Sequence, residues 1–351
     1  MNEILSPHGV RALLLWYQQN KRDLPWRHTS DPYRIWISEI MLQQTRVEAV
    51  KPYYARFLEA APNIEALALL PEEKLMKLWE GLGYYSRARN LQKAARVVVE
   101  NHCGVMPTTY EELLKLPGIG EYTAGAVASI AYGERVPAID GNVLRVLARV
   151  SGTDSDITLP ETKKEFRQNL AGVIPTEAGE FTQSLIELGA TVCAPNREPM
   201  CALCPLSKEC VAYREGKTNE IPVRSPKKPR RIEERTVFII RDGDRTALRK
   251  RPSKGLLSGL YELPNIEGHL GENEVLEHLR SLGFEPLRIQ KIENAKHIFT
   301  HIEWHMIAYD VRITPEFDGL HGKSGMLLVP NAELHQTYAI PSAFGAYVKY
   351  L

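Results

Sequence analysis

The stretch from Leu116 to Asn142, LPGIGEYTAGAVASIAYGERVPAIDGN, constrains the fold more than any other part of the chain. Pro117 with Gly118 and Gly120 predicts a tight turn whose backbone can take positive φ and lie against another surface without interference from a Cβ. Ala124, Val127, Ala128 and Ala131 recur at the spacing of one helical face, so a helix is expected over Glu121–Tyr132, its first N–H groups pointing back at the turn. Upstream, residues 110–116 with Leu113 and Leu114 inward supply a first helix. The unit is helix, hairpin turn, helix, and the start of its second helix is an anion site. An ordinary helix-connecting turn has the same local chemistry, so the neighbours of the turn must decide.

At 351 residues the chain has room for two domains, each with its own core. Up to about Arg214 the pattern is helical throughout, with Asp31 and Pro32 forming a cap and first-turn pair, and a helical stretch over residues 75–91 interrupted near Gly81 and Gly83. Residues 216–231, rich in Lys, Arg and Pro, read as a linker. Beyond them, residues 236–240 and 305–311 cluster β-formers and residues 274–282 look like a single helix, which predicts a mixed α/β second domain. The expected boundaries are 1–215, 216–233 and 234–351. A net charge of +1 carries no global basic signature, so any nucleic-acid surface must be local. No stretch approaches the length of a membrane span and the apolar run at residues 12–17 is too short for a signal peptide, which predicts a cytoplasmic protein without disulfides.

Cys193, Cys201, Cys204 and Cys210 close the helical part, while Cys103 stands alone as a small buried hydrophobe or a semi-exposed thiol. Four thiols gathered at 193–210 argue for a metal, because uncompensated thiolates repel at close range. Zinc and iron–sulfur clusters both accept four thiolates. Four-Cys zinc sites usually come as two C-x-x-C knuckles, and here only Cys201 and Cys204 form one, so the spacing favours a [4Fe–4S] cluster over zinc.

The hairpin, the Asp twenty positions after Gly120 and the terminal four-Cys loop together resemble the helix-hairpin-helix DNA glycosylase superfamily. Within it, WISEIMLQQTRVEAV, WEGLGYYSRARNL and AIDGNVLRV are similar to the adenine DNA glycosylases of the MutY type, and the resemblance covers nearly the whole chain. It implies a mainly α helix-hairpin-helix domain with an iron–sulfur loop, followed by an α/β Nudix-like domain, acting as a monomer on duplex DNA that carries adenine opposite 8-oxoguanine or guanine. Seven residues separate Cys193 from Cys201, where the family pattern has six. The chemistry calls for an acid on the base side and a fixed anion near C1′. Glu39, in an apolar helical setting, resembles the family's general acid, which protonates adenine N7 and later activates water; desolvation would keep it protonated. Asp140 follows Pro137 and opens a helix over residues 142–150, whose N–H groups would hold it ionised; the resemblance gives it the oxocarbenium-stabilising role, alternatively through a covalent sugar intermediate, with Asn142 beside it in the catalytic set.

Tyr122 stands where strand-cutting relatives carry a Schiff-base Lys, so the resemblance implies a monofunctional glycosylase, with Tyr122 bonding the carboxylates or the departing base. Lys115 precedes the turn and is a phosphate contact or merely solvated. Base removal requires extrusion of the nucleotide, and Gln44 and Tyr84 match the family's wedge residues. Arg27 and Gln183 fall at adenine-contacting positions, and the backbone of Gly118 and Gly120 is expected to grip phosphate, with a monovalent cation in the turn. In the second domain the helix that would hold Mg²⁺ on a pyrophosphate reads EHLRSLG, with Arg280 and Ser281 where paired acids are expected, so the metal site looks lost. HIFTHIEW resembles the loop that senses 8-oxoguanine, through Phe299, Thr300 and His301, with Thr300 in place of the usual Ser. The alternatives to be weighed are a strand-cutting pyrimidine glycosylase and a non-catalytic lesion-binding module.

Overall fold

The structure is a computed structural model, and it describes residues 4–195, 197–226, 228–314 and 325–351, the side chain of His335 excepted. Its residues cluster into two compact units, one of 4–69 and 89–226, the other of 70–88 and 228–351.

The first unit is helical. Its elements are α1 (Pro7–Asn20), α2 (Pro32–Leu42), α3 (Val47–Ala60) and α4 (Ile64–Leu69), then, beyond α5 (Glu72–Leu78) of the second unit, α6 (Ser86–His102), α7 (Tyr110–Leu113), α8 (Glu121–Tyr132), α9 (Gly141–Ser151), α10 (Pro160–Ala171), α11 (Ala178–Thr191) and α12 (Val211–Arg214). Asp31 caps α2 by accepting from Tyr33 N at 2.9 Å, and Pro32 occupies the first turn, where its missing N–H costs nothing. The first hairpin helix is shorter than the periodicity predicts: α7 stops at Leu113, and the chain tightens through i→i+3 bonds from Leu116 N to Leu113 O and from Ile119 N to Leu116 O. Gly118 takes φ +76°, and a Cβ there would lie 2.5 Å from that of Asn90, so both the turn and its seat on α6 demand glycine. The core below the hairpin joins Val143, Val146, Leu147 and Val150 of α9 to Phe181, Leu185 and Leu188 of α11 and to Leu13 of α1.

The second unit is built on a sheet of β1 (Arg231–Asp242), β2 (Arg245–Lys250), β3 (Tyr261–Glu262), β4 (Asn265–Glu267), β5 (Pro286–Ile298), β6 (Ile302–Ile313) and β7 (Met326–Pro330), with α13 (Glu272–Ser281) and α14 (Asn331–Thr337). The strand order is β3-β2-β1-β6-β5, with β4 also pairing β1 and β7 pairing β2. β1 and β6 run parallel with Thr236 opposite Ile307, and the other pairings are antiparallel. Side-chain alternation sends Val237 and Ile239 to one face with Trp304 and Phe344, and Phe238 and Ile240 to the other with Val275 and Leu279 of α13. Residues 299–301 form the turn between β5 and β6. Among the described residues no helix is long and apolar enough to cross a membrane.

Candidate active site

The centre of the first unit is a pair of carboxyl groups held by different means. Glu39 lies on the buried run of α2, only 8% exposed, and receives the Tyr122 hydroxyl from the second turn-facing position of α8 at 2.5 Å. Burial drives its carboxyl from the ordinary range up to about 7; the like charge of Asp140 adds to this, while the Tyr122 bond and Arg27 oppose it. Asp140 is the N-cap of α9. Its side chain accepts from Asn142 N and Val143 N, both at 2.8 Å, and from Asn142 Nδ2 at 2.7 Å. Burial pushes the Asp140 carboxyl upward, and those donors and Arg145 oppose it. The asymmetry between the two acids remains: one donor serves Glu39 and three serve Asp140, so the second is the better-prepared anion.

Arg27 and Gln183, expected to contact adenine, belong to a network with three partners the sequence did not single out. Tyr17 donates to Gln183 Oε1 at 3.2 Å and carries the Arg27 guanidinium over its ring at 5.5 Å. Glu187, one turn beyond Gln183 on α11 and fully buried, accepts from Arg27 Nη2 at 2.6 Å and from Arg22 Nε and Nη2 at 2.8 Å each. Burial alone would raise this carboxyl, but the Arg22 and Arg27 bonds override it and hold it down at about 2. The i, i+4 spacing of Gln183 and Glu187 was the available signal, since it puts both on one face.

The hairpin presents its start of α8 at Gly120 with no side-chain cap, and a Cβ there would meet nothing within 4 Å. Gln44 and Tyr84 are both exposed and both take left-handed backbone, φ +59° and +47°, a conformation that costs a non-glycine residue on the order of 1 kcal/mol and clusters at functional positions. Tyr84 lies in the second unit, where its hydroxyl bonds Thr300 Oγ1 at 2.8 Å. Beneath it the Arg87 guanidinium sits 5.8 Å from its ring and donates to Leu82 O and Gly83 O. The turn bearing Thr300 is braced by Arg230 Nε on Phe299 O and Arg231 N on His301 O, and the Phe299 ring packs edge-on to Trp304 at 4.9 Å. His301 is exposed.

All four clustered cysteines line one pocket of about 370 Å³ of empty space, partly open to solvent. Asn196, in the longer spacing between Cys193 and Cys201, lies outside the described residues. Among the described residues no three His, Cys, Asp or Glu side chains are arranged to hold a metal ion as they stand. The donor set nevertheless suits a cationic group: burial, aided by the other three thiols, raises the Cys204 thiol to about 12, so a bound cation is what would make them thiolates. Two buried arginines of α9, which the sequence reading passed over, reach this loop. Arg149 Nη1 lies 3.2 Å from Cys193 Sγ, and Arg145 donates to Cys193 O at 2.7 Å, to Gly189 O at 2.8 Å and to Asn142 Oδ1 at 2.9 Å. Gly189 permits this crossing, since a Cβ there would stand 2.6 Å from that of Asn142.

Residues 37–175 match the HhH-GPD superfamily base excision DNA repair protein family, and residues 236–350 match the NUDIX domain. The helical first unit and the mixed sheet of the second are the folds those families imply. The chain is 36% identical over 361 residues to the adenine DNA glycosylase of Mus musculus, a match covering 86% of this chain and 70% of that one. Of solved structures, a thermostable thymine-DNA glycosylase is similar at 33% identity and a TM-score of 0.54, over 59% of this chain and 95% of its own. A non-covalent endonuclease III–DNA complex is similar at 25% identity and a TM-score of 0.50, over 60% of this chain and 98% of its own.

Proposed function

Because the chain belongs to the adenine DNA glycosylases, we propose that it excises adenine placed opposite 8-oxoguanine, and more weakly opposite guanine, leaving an abasic site in duplex DNA. The observation that carries this reading is the buried pairing of Glu39 with Tyr122 beside the thrice-bonded Asp140. Glu39, still carrying its proton in a large fraction of molecules near pH 7, gives it to adenine N7; the C1′–N9 bond then breaks with its electron pair leaving on the base. Asp140 faces the sugar cation that results, as a neighbouring anion or by bonding C1′, and Asn142 keeps its carboxylate oriented. Glu39, now ionised, takes a proton from the water that adds to C1′.

Extrusion of the adenine is assigned to Gln44 and Tyr84, the grip on the phosphate to the backbone at Gly118 and Gly120 with a monovalent cation in the turn, and contact with the base to Arg27 and Gln183. Phe299, Thr300 and His301 read the opposite base. The bond between Tyr84 and Thr300 supports this division, since it joins the wedge to the reading turn within one unit. Cys193, Cys201, Cys204 and Cys210 would hold a [4Fe–4S] cluster, whose cationic core would keep them as thiolates and cross-link the loop. In this reading the protein acts as a monomer.

The likeness to a thymine-DNA glycosylase and to endonuclease III favours a second reading, a pyrimidine glycosylase that also cuts the strand. Tyr122 weighs against it, because a phenol cannot form a Schiff base. Base release measured on duplexes carrying adenine opposite each normal base and 8-oxoguanine tests the first reading; borohydride trapping of a lysine–DNA adduct would establish the second. Tight binding with no release from any of these duplexes would leave a lesion-binding module.

A further inference from the structure

Glu187 is the most deeply buried carboxylate among the described residues of the helical unit, and of the residues assigned to the reaction it bonds Arg27. Arg22 alone would satisfy it, with two side-chain bonds at 2.8 Å and a backbone N–H at 3.1 Å. It nevertheless takes a fourth bond, from Arg27, whose side chain is 9% exposed and lies over the Tyr17 ring that in turn bonds Gln183. A buried guanidinium stays charged whatever its partners, so removing its counter-ion leaves positive charge in place rather than neutralising it. That charge acts on Glu39. The groups facing Glu39 are Tyr122 from α8, Asp140 from the start of α9 and Arg27 from the turn after α1, with Glu187 and Arg22 behind Arg27.

We propose that Glu187 is the positioning residue of the base pocket: by holding Arg22 and Arg27 it fixes the donors offered to the extruded base and balances the positive charge that Arg27 presents to Glu39. This rests on the role given above to Glu39 as the acid. Removing Glu187's charge strengthens the field of Arg27 and favours the Glu39 carboxylate, so the acid is lost at lower pH. Removing Arg22 instead leaves Glu187 wholly to Arg27, weakens that field and preserves the acid to higher pH. Opposite signs from two neighbours distinguish charge balance from simple packing.

The test uses the full chain as isolated and single-turnover release of adenine from a duplex with adenine opposite 8-oxoguanine, followed on both sides of neutrality. Glu187→Gln is expected to move the alkaline limb down by on the order of 0.5 pH unit, to slow release at pH 7 by about tenfold, and to keep its grip on an uncleavable duplex carrying 2′-fluoro-2′-deoxyadenosine. Arg22→Gln is expected to move the limb up, and Glu187→Asp to return it toward the parent. A limb unmoved in both Glu187→Gln and Arg22→Gln overturns the proposal; if Glu187→Gln does not fold, Arg22→Gln decides alone, since that side chain is 36% exposed. Glu39→Gln separates the failures. A limb that persists in it removes the Glu39 assignment and this proposal together, whereas a limb abolished in it and unmoved by the other two removes the role of Glu187 only.

Discussion

Tyr122 donates its hydroxyl to Glu39 Oε2 at 2.5 Å, across 83 positions of sequence, and thereby ties the second hairpin helix to the buried face of α2. The bond stabilises the ionised form of a group that burial drives the other way, so the Glu39 carboxyl comes to rest at about 7.

A pH dependence with two faces is expected from that balance. Release of adenine should fall as pH rises through about 7, where Glu39 loses its proton, and Glu39→Gln should lower the single-turnover rate by about 10²–10⁴-fold. Stability runs with the same sign: the folded carboxyl holds its proton above the ordinary value of 4.5, so its contribution is intact below 4.5 and is lost as pH rises through about 7. Glu39→Gln should therefore be more stable than the parent at pH 8, by on the order of 1–3 kcal/mol. Equal melting temperatures at pH 8 and pH 5 for the pair would contradict this.

The two hairpin glycines should separate on substitution. Gly118→Ala meets both a positive φ and the Asn90 side chain, so it should destabilise the unit by roughly 1–3 kcal/mol and lower duplex binding as a consequence. Gly120 has φ −93° and free space for a methyl group. Gly120→Ala is expected to keep the parent melting temperature while weakening duplex affinity, because the added Cβ stands where phosphate would approach. Thermal melting beside a fluorescence titration with duplex checks the contrast; parallel losses in both variants would mean the turn is only structural.

The proposed wedge at Tyr84 and the proposed reading turn at Thr300 should behave as one device. Tyr84→Phe and Thr300→Ala each break the bond between them and are expected to cost about 0.5–1.5 kcal/mol of the discrimination between adenine opposite 8-oxoguanine and adenine opposite guanine. In the double variant the losses should not add, which a double-mutant cycle on the ratio of single-turnover rates reads directly. Additive losses would make the bond incidental.

How far these features could be read in the sequence depended on how local their physics is. The hairpin, the Asp31 cap and the Asp140 cap are set by residues within a few positions, and turn and capping chemistry names them outright. Glu39 was legible as a helical residue whose apolar neighbours would desolvate it, and the packing of α8 against α2 supplies that burial. Glu187 was legible only as sharing a helix face with Gln183; its burial and its ion pairs were not, because its partners Arg22 and Arg27 come from 165 and 160 positions away. Arg145 and Arg149 fall into the same class: on α9 alone they look like solvated charges, and only the return of the chain after α11 turns them into donors for the cysteine loop. The upward push on Asp140 was missed for a related reason. Its donors are local and predictable, whereas the loss of solvent that opposes them comes from the whole unit.

Arg145 couples that loop to the Asp140 cap, so its loss should be felt in both places. Its guanidinium, 3% exposed as a residue, satisfies Cys193 O, Gly189 O and Asn142 Oδ1, and Asn142 in turn bonds Asp140. Arg145→Gln is too short to reach all three, leaving buried carbonyls unpaired at about 1–3 kcal/mol each. The expected protein melts well below the parent, yields fewer than the ~4 irons per chain that a cluster requires, and releases adenine more slowly even when fully loaded, because Asn142 no longer holds the Asp140 carboxylate in register. Iron and acid-labile sulfide content, measured beside the single-turnover rate per loaded molecule, separates the two effects. A variant that loads iron normally and releases adenine at the parent rate would reduce Arg145 to a packing residue.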